Sequence, residues 1–312
     1  MSTRFLVILV AVVATVQVAR AQQEPSFSHY WAMETSFNPA AAGKEPLINV
    51  TGAYNMTMVG FEHNPRTMYV AGDTQLSLLG GKHGVGLQLM NDDLGLFSHQ
   101  RLSVQYAYKH RLLGGTISAG VQFGLLSEKF KGSGVDLEKD DDRVFSKTDD
   151  NGTGMDVSAG LYYMRGPWYV GVSALHLTAP SVEIGERSIL EISRAYYLTG
   201  GYNIRLRNPF LTIHPSVLAR YDGTAYRVDA TARVKYTHEK RVMYAGIGYS
   251  PTNSVTAFIG GNFHGISLGY SYEMYTSAIS IGNGSHELFV GYQTELNLYK
   301  KGRNRHQSVR IL

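Results

Sequence analysis

The sequence predicts an all-β protein, a transmembrane antiparallel up-and-down β-barrel of about 14 strands with periplasmic N- and C-termini. The first supporting observation is alternation with a period of two. In the segment QRLSVQYAYKHRL, Leu102, Val104 and Tyr106 share one face. Arg101 and Gln105 share the opposite face. Composition is the second observation, since the chain has 34 Gly and 21 Tyr but only 9 Pro. The third is an export signal that no apolar run of helical membrane length follows.

The alternation recurs along the chain and defines the predicted strands. Most of them have the roughly 9–11 residues that a tilted membrane strand requires. Each has an apolar face suited to lipid and a polar face suited to a lumen. The predicted strands are residues 48–58, 67–78, 83–91, 100–111, 116–126, 155–165, 168–178, 194–206, 210–221, 225–237, 242–249, 255–263, 266–274 and 286–298.

The connections between these strands test the strand count independently. The second, fourth, sixth and eighth connections read LGGK, LLGG, RGPW and RNPF, which are tight turns. The third, fifth, seventh and thirteenth are expected to be longer, as outward loops are in outer-membrane barrels. The ninth, Asp222-Gly223, is short and departs from this pattern. An even number of strands returns the C-terminus to the periplasmic side.

The N-terminus has the features of a signal peptide. Arg4 gives a positive charge ahead of an unbroken apolar run at 5–14, and Ala19-Arg20-Ala21 supplies a cleavage site. We therefore expect an exported protein. The expected organisation is a signal peptide at 1–21, a periplasmic or lumenal segment at 22–47, a barrel at 48–299 and a basic periplasmic tail at 300–312.

Composition also narrows the compartment and the function classes. The chain contains no cysteine, which excludes disulfides, thiolate metal sites and cysteine nucleophiles. An exported protein without cysteine fits the outer membrane of a Gram-negative bacterium. The formal net charge of +4 is too small to indicate nucleic acid binding, which normally requires a concentrated basic face.

No motif predicts a catalytic residue, a cofactor or a metal centre. GISLG places Ser267 in a G-x-S-x-G pattern, but that pattern acts only at a strand-to-helix turn, and Ser267 lies within a predicted strand. The 11 histidines show neither H-E-x-x-H nor another helical ligand pair. We predict that the protein is not an enzyme.

The longest predicted loop, residues 131–154, is strongly acidic. Asp149, Asn151 and Thr153 alternate as in a calcium loop, but Gly160 stands where an EF-hand has its closing glutamate. Two interpretations remain open, a hydrated outer loop and a loose divalent-cation site at 136–150. The loop's carboxylates are Asp136, Glu138, Asp140, Asp141, Asp142, Asp149 and Asp150.

The stretch FSHYWAMETSFNPAAAGKEP precedes the first strand and does not alternate. Proline restricts the residue before it and removes a backbone donor, so Asn38-Pro39 interrupts any short helix or turn. The stretch is either an interfacial aromatic belt leading into the barrel, or a lumen plug or partner-docking element. The candidate residues for the second role are Tyr30, Trp31, Phe37, Asn38, Pro39 and Gly43.

Two further features leave alternatives open. The tail is either a solvated end or a contact surface for a periplasmic partner or lipid phosphate. Mixed charges on the predicted lumen face fit a plugged barrel and an open pore equally, and a barrel of about 14 strands is wide enough for either. The basic residues of the tail are Lys300, Lys301, Arg303, Arg305 and Arg310.

Three segments carry a family resemblance. HYWAMETSFNPAAAG resembles the opening of the PorP/SprF family of Bacteroidota outer-membrane proteins. INVTGAYNMTMVGFEHNPRTMYVAGDTQL is similar to the family's first hairpin, although Val59 stands where many members have Trp. HGVGLQLMNDDLGLFSHQRLSVQYAYKHRL is similar to the second hairpin.

The resemblance implies a component of the type IX secretion system that is needed to export cargo bearing a C-terminal signal. It would act as a scaffold, an anchor or a cargo-handling barrel. The implied partners are a periplasmic lipoprotein ring, a peptidoglycan-binding adaptor and secreted cargo, within outer-membrane lipid and without nucleic acid or a cofactor. A diffusive porin or small-solute channel is the alternative function.

Overall fold

The computed structural model describes residues 24–78, 80–132, 149–184, 188–239, 241–251, 253–276 and 283–295. The expected signal peptide, the basic tail 300–312 and all of the acidic loop between 133 and 148 lie outside the described residues. Within the described ranges, no helix is both long and apolar enough to cross a membrane.

The described chain is dominated by antiparallel strands, most of which form one large sheet. Two further short strands form a separate hairpin. The strands are β1 Leu47–Met56, β2 Arg66–Leu78, β3 Gly81–Leu94, β4 Phe97–Leu112, β5 Gly115–Phe130, β6 Asp150–Arg165, β7 Trp168–Leu175, β8 Ser181–Ile184, β9 Ser188–Glu191, β10 Ala195–Tyr202, β11 Ile204–Arg205, β12 Leu211–Tyr221, β13 Tyr226–His238, β14 Arg241–Ser250, β15 Ser254–Phe263, β16 Ile266–Tyr275 and β17 Ser285–Glu295.

The large sheet closes on itself. The first strand pairs with the last, so that Leu47 lies opposite Glu295. On the far side, β10 pairs with both β7 and β12. After a break at Asn203, β11 continues the pairing of β10 with β12, so the two form one strand of the wall. The wall is thus a closed barrel of 14 antiparallel strands, which confirms the predicted fold class and strand number.

The two ends of the barrel differ in their connections. The even-numbered connections form tight turns at one end, here called the turn end, and most of the others form longer segments at the opposite loop end. The expectation of a long third connection is wrong, because only residues 95–96 separate β3 from β4. β3 and β4 both continue beyond the residues whose apolar alternation predicted them. Asp92, in this added part of β3, is held inside the barrel, where its Oδ1 accepts a 2.6 Å hydrogen bond from Thr67 Oγ1 of β2. These tight connections join β2 to β3, β4 to β5, β6 to β7, β11 to β12, β13 to β14 and β15 to β16.

The seventh connection contains the hairpin of β8 and β9, which the sequence pattern did not reveal. Val182 and Ile184 of this hairpin pack against Leu126 and Phe130, which face inward from β5. The hairpin therefore folds into the loop end of the barrel and narrows it.

The two faces of the wall have opposite chemistry. Outward-facing side chains such as Val104 are apolar and exposed, at 53% of full exposure. Their inward neighbours Arg101 and Gln105 are buried. The exposed apolar band is suited to contact with lipid. The polar side chains on the inner face are buried, so they need hydrogen-bond partners inside the barrel.

Residues 24–46, here called the interior segment, supply many of those partners. Three short 3₁₀ turns, Tyr30–Ala32, Glu34–Ser36 and Pro39–Ala41, shape the segment. It begins beside Arg101 near the loop end and reaches β1 at the turn end. It therefore runs through the lumen, a course that strand alternation does not indicate.

Candidate functional site

A buried carboxylate on β17 holds the start of the interior segment. Glu287 accepts hydrogen bonds from Ser28 N at 2.7 Å and His29 N at 3.0 Å. His29 Nδ1 lies 2.6 Å from Glu287 Oε1, and its ring stacks on Phe289. The wall charge and the segment's backbone donors thus satisfy one another.

The aromatic residues predicted as candidates contact the opposite wall. The hydroxyl group of Tyr30 lies 2.9 Å from Ser216 Oγ and 3.1 Å from Thr231 Oγ1. The guanidinium carbon of Arg233 lies 4.0 Å from the ring centroid of Trp31, within the range of a cation–π contact. Both aromatic residues therefore join the segment to β13.

Phe37 and Asn38 fix the middle of the segment against β6, β7 and β10. The Phe37 ring stacks on Tyr197, and its carbonyl oxygen accepts a 2.6 Å hydrogen bond from Ser173 Oγ. Asn38 Nδ2 donates to the backbone oxygen of Leu161 at 3.1 Å. Asn38 Oδ1 accepts from the backbone N–H of Ala40, which caps the 3₁₀ turn that Pro39 begins. The Asn-Pro pair thus shapes and docks a turn.

Beyond this turn, the segment's backbone touches the backbone of the wall. A Cβ atom added to Gly120 would lie 2.4 Å from Ala40 N, and one added to Gly84 would lie 1.9 Å from the carbonyl oxygen of Ala42. Neither backbone group is a flexible side-chain end, so these positions require glycine. The next residue, Gly43, donates its N–H to Asp73 Oδ2 at 2.8 Å.

An ion pair within the segment was not predicted. Lys44 Nζ lies 2.7 Å from Glu34 Oε2, and Tyr162 of β6 donates to Glu34 Oε1 at 3.0 Å. His29 was likewise missed, although it lies in the quoted stretch. Its partner Glu287 is 258 positions away, and nothing in one sequence links the two.

A second charged cluster holds the segment near the loop end. Glu24 Oε2 lies 3.2 Å from Arg101 Nη1, and Glu24 Oε1 lies 2.7 Å from His176 Nε2. His176 Nδ1 lies 3.0 Å from Asp156 Oδ2. Burial alone would raise the pKa of Glu24, but Arg101 and His176 hold it well below its usual range. Burial alone would lower the pKa of His176, but Glu24 and Asp156 raise it to about 9.

The interior segment divides the lumen unequally. On its turn-end side is a cavity of about 620 Å³, here called the vestibule. Its lining includes Trp31, Lys44 and Arg233, together with Pro167 at a tight turn. Around Glu24, near the loop end, the cavities measure only about 20 and 40 Å³. The segment and its side chains therefore fill the lumen above the vestibule.

Ser267 lies within β16, as predicted, and faces the vestibule. Its hydroxyl oxygen accepts a 2.8 Å hydrogen bond from Asn262 Nδ2. His286 Nδ1 lies 2.7 Å from the hydroxyl oxygen of Tyr270. Among the residues that the structure describes, no group of three metal-ligating side chains occurs.

The close approach at Gly84 predicts a specific sensitivity to added volume. Gly84→Ala should lower the free energy of unfolding by about 1–3 kcal/mol, because overpacking a well-filled interior displaces its neighbours. Gly72→Ala is the matched control, since its new Cβ would lie 3.8 Å from the nearest atom, at ordinary contact distance. Urea unfolding of the refolded barrel measures both variants, and equal stability of the two would contradict the packing described here.

The His176 cluster predicts a pH dependence. Its pKa is raised in the folded state, so its contribution to stability is complete below its unfolded pKa of about 6.5. That contribution should be lost as pH rises from about 6.5 to about 9. Urea unfolding at pH 6 to 9 should show this decline in the native protein and less of it in His176→Gln. The outward-facing His110→Gln should behave like the native protein, and equal slopes in all three would refute the assignment.

Comparison with solved structures finds other barrels. The CymD monoaromatic hydrocarbon channel has a TM-score of 0.51 and 10% identity, over 85% of this chain and 93% of that chain. The outer membrane protein Omp33 of Acinetobacter baumannii has a TM-score of 0.47 and 8% identity, over 81% and 100%. At 10% identity, the similarity to CymD is one of fold alone. A search of curated protein sequences finds no match.

Comparison with protein families gives a match over nearly the whole chain. Residues 19–292 match the family described as type IX secretion system membrane protein PorP/SprF. The matched region contains the interior segment and almost all of the barrel. The chain therefore belongs to the PorP/SprF family and is an outer-membrane β-barrel of the type IX secretion system.

Proposed function

We propose that the protein serves type IX secretion as a closed barrel that anchors the machinery or handles cargo, without itself being the conduit. The observation that carries this proposal is the interior segment, which crosses the lumen and is bound on several sides. Its contacts to Glu287, Ser216 and Ser173 come from strands around the barrel. Opening such a lumen requires breaking buried hydrogen bonds and a buried charged contact.

The size of the vestibule supports the same proposal. A cavity of about 620 Å³ is in the range of small-ligand pockets, which measure roughly 300–1,000 Å³. A folded cargo domain of typically about 50–200 residues is far larger. Cargo can therefore contact the vestibule with a short segment, whereas passage of a folded domain requires a different protein.

We further propose that the turn end faces the periplasm, because tight turns lie on that side in outer-membrane barrels. This orientation presents the vestibule to periplasmic components. The proposed partners are a periplasmic lipoprotein ring, a peptidoglycan-binding adaptor and secreted cargo. The tail 300–312 is a second proposed contact surface on this side, while Tyr30, Trp31 and their neighbours form the proposed plug. No enzymatic role is proposed.

A reversible cross-link can separate scaffold from conduit. A Cβ added to Gly86 would lie 3.6 Å from Cβ of Ala42, within the spacing of roughly 3.5–4.5 Å that a disulfide requires. The chain has no other cysteine, so Ala42→Cys with Gly86→Cys ties the interior segment to β3 without competing pairs. Each single substitution is a control that cannot close the bond.

Deletion of the gene should leave C-terminal-signal cargo inside the cell. The native protein and the oxidised double variant should restore export equally, because a scaffold does not need an open lumen. Immunoblotting of medium and cells measures export. Normal export in the deletion strain would refute the secretion role. Export by the reduced but not the oxidised variant would refute the scaffold and favour a conduit.

A further inference from the structure

The inward-facing charges of β13 fall into two groups. Toward the loop end, Arg227 Nε lies 2.8 Å from Asp229 Oδ1, and Arg227 Nη2 lies 2.8 Å from Glu273 Oε1. Toward the turn end, Arg233 and Lys235 line the vestibule. Neither forms an ion pair or a side-chain hydrogen bond with any residue in the described part of the chain. The same strand thus carries a neutralised arginine at one end and two unpaired cations at the other.

The guanidinium group of Arg233 is held in place without being neutralised. The Trp31 ring lies against it at 4.0 Å, and Trp31 is itself packed on Phe258 at 4.7 Å between ring centroids. Arg233 Nε is buried and has no hydrogen-bond partner among the described residues. A guanidinium group has five N–H donors in a fixed planar arrangement that matches a carboxylate. The Arg233 guanidinium group is therefore held in a fixed orientation in which it can pair with a carboxylate.

The carboxylates of the vestibule do not complete that pair. Glu34 is bound to Lys44 and Tyr162. Asp73 accepts from Gly43 N and from Asn49 Nδ2. Glu45 is exposed and acts electrostatically on Lys235, but the described residues include no ion pair between it and either cation of β13. Glu34 and Asp73 are therefore occupied, and Arg233 and Lys235 remain available to an external anion.

The remaining lining favours a polypeptide over a lipid as the source of that anion. Trp31 and Tyr244 offer aromatic faces, and Asn203 and Asn262 offer amide groups, to an extended chain. The cavity lies inside the barrel, so the wall separates it from the acyl chains of the bilayer. The cavity extends to Pro167 in a tight turn, so a ligand can enter it from the turn end of the barrel.

We propose that the β13 wall of the vestibule is a binding site for a carboxylate of an acidic polypeptide segment. Arg233 pairs with the carboxylate, Lys235 adds a second charged contact, and Trp31 orients Arg233. This goes beyond the proposed function, because the site is a property of the isolated barrel whatever its task in secretion.

Binding at this site can be followed by the intrinsic tryptophan fluorescence of the chain. The chain has only two tryptophans, Trp31 and Trp168. Trp31 lies against Arg233, whereas Trp168 follows the outward-facing alternation of β7, so a ligand at the site acts on the fluorescence of Trp31. The probe is the blocked peptide Gly-Glu-Gly-Glu-Gly, titrated into the refolded full-length barrel in a neutral detergent while tryptophan fluorescence is recorded. Its uncharged counterpart Gly-Gln-Gly-Gln-Gly, inorganic phosphate and short-chain phosphatidylglycerol are the comparison ligands.

The glutamate peptide should cause a saturable fluorescence change that salt weakens, and the glutamine peptide should not. Lys235→Gln, which leaves the contact between Arg233 and Trp31 intact, should weaken binding about tenfold, in line with loss of one charged contact. Arg233→Gln should weaken it at least as much, with calorimetry as a readout independent of the altered tryptophan environment. Arg241→Gln is the matched control, because Arg241 lies at the same end but faces outward.

Several outcomes would overturn the proposal. Equal binding of the glutamate and glutamine peptides would remove the role of charge. Tighter binding of phosphate or phosphatidylglycerol than of the glutamate peptide would assign the site to a different ligand class. An equal loss of affinity in Arg241→Gln and Lys235→Gln would place the effect in general surface charge. Urea unfolding verifies that each variant is folded before titration.

Discussion

A polypeptide buried inside a barrel must have its backbone N–H and C=O groups paired. The short turns of the interior segment pair many of these groups with one another, and others need partners from outside the segment. The wall supplies them from side chains: Glu287 accepts from two N–H groups, Asp73 from a third, and Ser118 donates to the carbonyl oxygen of Ala40. In return, the segment provides hydrogen-bond and ion-pair partners for buried polar side chains of the wall. Wall and segment are therefore one folding unit.

The same reciprocity explains the uneven distribution of charge. Where the segment or the wall itself provides an opposite charge, as for Glu24 with Arg101 and His176, the cluster is closed and the space around it is small. Where it does not, as at Arg233 and Lys235, a cavity remains. The filled part of the lumen supports the scaffold role, and the unfilled part supports a binding role for a partner of the secretion machinery.

Period-two alternation was sufficient to predict the barrel, its strand number and its two faces, because lipid contact constrains every second residue such as Val104. It failed where that constraint ends. Asp92 and its neighbours continue the strand ladder above the apolar band, so a third loop was expected where a two-residue turn exists. The β8–β9 hairpin is too short to show alternation, and packing on Leu126 and Phe130 stabilises it.

The candidate site was predictable only in part. Tyr30, Trp31, Phe37, Asn38, Pro39 and Gly43 stood out because aromatic residues and Asn-Pro interrupt the alternation. Their partners did not, since Ser216, Tyr197 and Leu161 carry no local signal and are far away in sequence. Gly84 and Gly120 resembled ordinary strand glycines, and only the three-dimensional course of the segment explains why no side chain fits there.

We propose that residues 24–43 close the lumen as part of the folded barrel. Single-channel recording in planar bilayers tests it most directly, by comparing the native protein with a variant lacking these residues that still inserts as a barrel. We expect the native protein to stay near background conductance and the deletion variant to conduct through an open lumen. Equal, large conductance of both proteins would contradict it and would favour a diffusive porin.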